Sequence, residues 1–123
     1  MPLIPSYGSN SYTQRDPRSI QASVLIPAST AASTLFPAQG TGIFVDITNL
    51  VVANSDIVDR TFQILDNGVA VMVVSVKAGS TQPIPIYEGA QAALPNTVWQ
   101  IKATTAPAVF TCFVFAKGLL SKP

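Results

Sequence analysis

The sequence predicts an all-β domain, an antiparallel β-sandwich or barrel behind an extended N-terminal arm. Three observations predict it. Short runs rich in β-branched residues recur along the chain with turn residues between them. Asn67-Gly68 stands between two such runs, and both positions of a type I′ turn take a positive φ that Asn and Gly tolerate best. No stretch joins helix caps to an apolar period of about 3.6 residues.

The elements follow in order. Residues 1–18 carry Pro2, Pro5 and Pro17 with Gly8 and Asn10, and read as the arm. Leu3, Ile4, Tyr7 and Tyr12 are spaced along it, with Arg15 and Arg18 at its root. These residues are expected to bind a partner or neighbouring subunit, since free arms stay disordered unless something ties them down; folding back on their own domain is the plainer alternative. Residues 19–123 read as the sandwich. A strand is expected over 20–26, ended by Pro27, and a loop or loose edge over 28–33. Further strands are expected over 43–54, 59–65 and 69–76. The run 82–87 contains Pro83 and Pro85, which donate no ladder bond and confine it to an edge. Strands over 98–104 and 109–117 complete the set. Ala78-Gly79-Ser80, Gly89, Pro95-Asn96 and Ala106-Pro107 supply the turns between these runs.

Two hairpins assign faces. A two-residue loop at Asn67-Gly68 pairs Asp66 with Val69, Ile64 with Val71 and Phe62 with Val73. Phe62, Ile64, Val71 and Val73 then face the core, while Leu65, Ala70, Met72 and Val74 face outward with Thr61 and Gln63. A loop over 105–108 likewise places Trp99, Ile101 and Ala103 on one face with Phe110, Cys112 and Val114. The other face carries Val98, Phe113 and Phe115 beside Gln100 and Lys102. An antiparallel sheet with one wet face alternates cleanly, and these strands do not. Met72, Val74, Phe113 and Phe115 are therefore expected to form an oligomer interface. The plainer alternative is a long loop, or the arm, covering that face.

Composition excludes several functions. The 123 residues support one domain with a real core. A net charge of +1 removes the electrostatic footprint of a nucleic-acid binder. With no histidine and Glu88 as the sole glutamate, most general acid–base chemistry is missing, and no enzyme activity is expected. One cysteine, Cys112, rules out an intrachain disulfide framework and a cysteine metal cluster. No apolar run approaches the ~20 residues of a membrane-spanning helix. The first residues do not read as a secretory signal, so synthesis in a cytoplasm is expected. Only 11% of residues are charged, against a usual quarter or so, which suggests that something covers part of the surface.

Individual side chains add little chemistry. Asp56 and Asp59 offer two carboxylates, far short of the six or more oxygens calcium takes, and are expected in a solvated loop. Asp66 belongs to the hairpin turn, where its side chain can accept from nearby amides. Cys112, among Phe110, Phe113 and Phe115, is expected to be a small buried hydrophobe without a base to activate it. Trp99 could stack on a sugar, with Tyr87 and Glu88 beside it, but at strand spacing it reads as core. Gly40-Thr41-Gly42 lacks the rest of any phosphate loop. No cofactor and no metal site are expected.

Val45-Asp46-Ile47-Thr48-Asn49-Leu50, Ile64-Leu65-Asp66-Asn67-Gly68, Val76-Lys77-Ala78-Gly79-Ser80 and the closing aromatic strand together resemble small phage virion proteins. The chain is similar in particular to the jelly-roll cement, or decoration, proteins of tailed-phage capsids, over roughly residues 43–117. That resemblance implies a virion protein on the capsid surface. It would be a homotrimer binding the major capsid protein and bridging its subunits, with neither nucleic acid nor membrane as partner. Other readings are a phage tail, baseplate or fibre component, a pilus-type subunit, which should carry a signal peptide, and a sugar-binding β-sandwich.

Overall fold

The computed structural model describes residues 18–85 and 91–121, and β-branched and aromatic runs there form eight strands. They are β1 (Arg18–Leu25), β2 (Ser33–Phe36), β3 (Phe44–Asn54), β4 (Arg60–Asp66), β5 (Val69–Val76), β6 (Ser80–Ile84), β7 (Trp99–Ala103) and β8 (Cys112–Ser121). One sheet has the order β1-β8-β3-β6 and the other β2-β7-β4-β5, every pairing being antiparallel. Consecutive strands therefore alternate between sheets, except for the β4–β5 hairpin. This is the order of a jelly roll, in which long crossings sew two sheets face to face. β1 lies beside β2 at one side of the sandwich, and β6 beside β5 at the other.

The core forms where the two inner faces meet. β3 contributes Val45, Ile47, Leu50 and Val52, and β8 contributes Cys112, Val114, Ala116 and Leu120. Phe36, Phe62, Ile64, Val74, Val76, Trp99, Ile101 and Ala103 face them from the second sheet. Gly118 makes room for this packing, because a Cβ there would stand 3.2 Å from the Phe36 ring and 3.3 Å from the Asp46 carbonyl.

At the β4–β5 hairpin, Asn67 and Gly68 have φ of 51° and 82°, as a type I′ turn requires. Asp66 pairs with Val69 as expected, but the register then shifts. Leu65 pairs with Ala70 and Ile64 with Met72, leaving Val71 as the extra residue of a β-bulge. A one-residue slip exchanges the two faces of a strand. Val74 and Val76 are consequently buried and Met72 packs against the core, while Val71 and Val73 are 49% and 64% exposed. The expected core role of Val71 and Val73 is wrong, and so is the expected outward role of Met72 and Val74.

The second hairpin does not exist. β7 belongs to one sheet and β8 to the other, so the intervening loop crosses the sandwich. Trp99, Ile101 and Ala103 do share the core with Cys112 and Val114, but across the sheets, and Phe110 is 70% exposed. β2 was not expected as a strand; it has only four residues and a register shift against β7. Among the arm residues, Arg18 opens β1 and is exposed. Leu3, Ile4, Tyr7, Tyr12 and Arg15 lie outside the described residues, as do Tyr87 and Glu88.

Candidate interaction surfaces

Polar groups close the two ends of the sandwich. At one end Asn54, the last residue of β3, is 1% exposed. Its amide donates to the Val58 and Val76 carbonyls at 3.0 Å each, and its Oδ1 accepts from the Asp56 amide at 3.0 Å. The Cys112 thiol donates to the same oxygen at 3.5 Å. Asp56 was expected to be solvated, yet it is buried. It accepts from the amides of Ile57 and Ala108, and Arg60 meets its Oδ2 at 2.7 Å through one guanidinium nitrogen and 2.9 Å through another. Arg60 also reaches the Thr105 hydroxyl. A buried carboxylate needs such partners, and these come from its own loop, from the start of β4 and from Ala108, 52 positions away.

The Ala108 amide, then the Ile57 amide, then Arg60 hold the Asp56 carboxyl below its usual range, against the opposing effect of burial. A carboxyl depressed in the folded state adds stability that is complete above its unfolded value, near 3.8, and vanishes as pH falls through the lower folded value. Thermal melts of wild type and Asp56→Asn should therefore differ at neutral pH and converge in strong acid. An undiminished gap in acid would place the effect outside this charge. Burial pushes the Cys112 thiol up, and the side chain is fully enclosed, as its sequence context implied.

At the other end, Asp46 of β3 and Asp66 of β4 accept from the successive amides of Ala92 and Ala93, at 3.0 Å each. Asp66 thus holds a distant loop, not its own turn, whose Asn67 amide donates instead to the Val98 carbonyl. The Trp99 indole donates to the Val45 carbonyl at 2.7 Å and the side chain is 1% exposed. A sugar cannot stack on it there. Among the described residues, no group of three or more His, Cys, Asp or Glu gathers to hold a metal ion.

Part of what remains exposed is apolar. On the outer face of the β1-β8-β3-β6 sheet, Phe113 is flanked by Leu25 and Ala53, and Phe115 by Ser23 and Val51, with Pro83 beyond. Phe113 and Phe115 are 42% and 61% exposed, and Leu25 is 40% exposed. The loops at the Asn54 end add Ile57, Val58, Val109 and Phe110, all exposed. Phe110 sits there with φ of 59°, a left-handed conformation unusual for an aromatic residue. A second apolar strip, Val69, Val71 and Val73, lines β5 at the edge of the other sheet. Only part of the expected interface is thus placed at the surface, namely Phe113 and Phe115. The β5 strip escaped the sequence reading because the bulge creates it.

No family model and no curated protein matches the chain. Among solved structures, one described as "Bacillus endospore appendages form a novel family of disulfide-linked pili" is similar over 94% of this chain and 96% of that one, with a TM-score of 0.51 and 14% identity. At that identity the likeness concerns the fold alone, an antiparallel β-sandwich.

Proposed function

We propose that the chain is a structural subunit of a larger protein particle, working as a capsid cement protein that bridges neighbouring capsid subunits. One observation carries the reading: the row formed by Leu25, Phe113 and Phe115 with Ala53, Val51 and Pro83, an aromatic surface built across all four strands of one sheet. Soluble domains rarely leave such a patch uncovered unless it is an interaction site. Hydrophobic contact there joins subunits without chemistry, and repetition on a symmetric particle multiplies it by avidity. The phage setting rests on the sequence resemblance. A subunit of a self-assembling appendage is the second reading, favoured by the fold shared with an endospore pilus protein. The disulfide linkage named for that protein has no counterpart in these residues, since the one cysteine is buried.

Phe113→Asp/Phe115→Asp changes exposed side chains and should leave the circular dichroism spectrum of the domain intact. Occupancy on cement-free particles, measured by mass spectrometry as copies per capsid protein, should fall at least tenfold. Undiminished occupancy sinks the cement reading, and filaments formed by the purified chain alone, seen by electron microscopy, establish the appendage reading instead. Light scattering should give the wild type as a multiple of 12.9 kDa, with a trimer expected.

A further inference from the structure

We infer that the outer edge of β5 is a docking site for a β-strand, and that its occupant is the N-terminal segment of a second copy of this chain. The inference deepens the assembly reading above by naming what the arm meets.

β5 is an edge strand, bonded to β4 alone. Among the described residues, no backbone bond reaches Val69–Ser75 from any other element. An edge of this kind templates a further strand unless charge, proline or brevity blunts it. Two of the other edges are blunted. β6 carries Pro83, with Pro85 just beyond, and β2 has four residues and a register shift. β1 turns Ser19, Gln21 and Ser23 outward. β5 runs eight residues with neither charge nor proline and exposes Val69, Val71 and Val73. Its bulge at Val71 bends only the start, for Met72–Val76 pair regularly with β4.

The sequence before β1 supplies a segment of matching length. Ser6–Asp16 has eleven residues without proline, between Pro5 and Pro17. At ~3.3 Å per residue it spans roughly 36 Å, enough to cover the ~26 Å of β5. Tyr7 and Tyr12, five positions apart, point to opposite faces of such a strand. One ring then lies beside the exposed valines and the other on the side of Met72, as cross-strand aromatic and aliphatic pairs favour.

Distance selects a second copy over the same chain. β1 and β5 occupy diagonally opposite corners of the sandwich. Three strand spacings of ~4.8 Å and a sheet separation of ~10 Å put them roughly 17 Å apart, which absorbs about five residues. A segment shortened by five spans ~20 Å, short of the ~26 Å of β5, whereas a neighbour whose β1 begins beside this edge can deliver the whole segment. Such a head-to-tail contact closes into a ring when the rotation allows, a trimer included, and otherwise runs on as a filament.

The test pairs two full-length variants. Val71→Lys/Val73→Lys charges the edge and keeps the arm; Ser9→Pro/Ser11→Pro removes two arm amides and keeps the edge. Each alone should run as a monomer of about 12.9 kDa with a wild-type circular dichroism spectrum. Mixed in equal amounts, they should restore a dimer, one joining its intact arm to the other's intact edge. Self-association of the proline variant, no dimer on mixing, or a monomeric wild type overturns the proposal. Should the lysine variant misfold, amide exchange on the wild type decides: protection of Val69–Val76 must rise with protein concentration, and unchanged protection overturns the proposal. Arm exchange without particle binding supports this contact and overturns the cement reading alone. Particle binding retained without arm exchange overturns this proposal alone.

Discussion

Replacing Trp99 with alanine is expected to cost the domain about 3–5 kcal/mol, the usual range for removing a buried aromatic side chain and leaving a cavity. Trp99 is the largest fully buried side chain of the core. It also bonds the first sheet to the second, through its indole and the Val45 carbonyl. A margin of ~5–15 kcal/mol is typical for a domain, so the variant should retain little of it. At roughly 4 °C per kcal/mol the melting temperature should drop by about 12–20 °C. Trp99→Phe fills much of the volume without donating the hydrogen bond and should fall between the two. A melting temperature unchanged by Trp99→Ala would contradict the packing described for β7.

Asn54→Leu should be comparably damaging although the side chain is similar in size. Two carbonyls, one amide and one thiol bond to Asn54 in a place largely closed to water. Orphaned buried groups cost ~1–3 kcal/mol each, and relaxation recovers part, so a loss of about 3–5 kcal/mol is expected in urea melts. The same residue ties β3 to the start of the Asp56 loop and to the end of β5. Cross-sheet contact there should loosen first, seen as faster amide exchange at Asp56 and Val76. A loss below about 1 kcal/mol would show that water replaces the amide without difficulty.

Much of the sandwich was legible in sequence because a strand leaves a period of two. Ile64 and Phe62 on β4, Trp99, Ile101 and Ala103 on β7, and Cys112 and Val114 on β8 face inward as their alternation implies. Asn67-Gly68 announced its turn because few other residues take two successive positive φ values. β5 was misread because valine occupies both of its faces, so alternation could not reveal the slip at Val71. β2 was missed because four residues carry too little pattern, although Leu35 and Phe36 are buried. Asp56 was misplaced because its partners at Arg60 and Ala108 come together only in the folded chain.

Composition and alternation are local properties that each strand carries alone, and they suffice to mark a β protein with a surplus of apolar surface. Which strands are neighbours, and which apolar residues remain outside, depends on contacts made in the folded chain. A hairpin and a crossing between sheets read alike in the 104–111 loop, yet they put β8 beside β7 or across the core from it. Pairing with β1 and β3 leaves Phe113 and Phe115 on an outer face. One extra residue at Val71 turns the β5 valines outward at an open edge. Strand partners are settled by long-range packing, and the exposed faces follow from the partners.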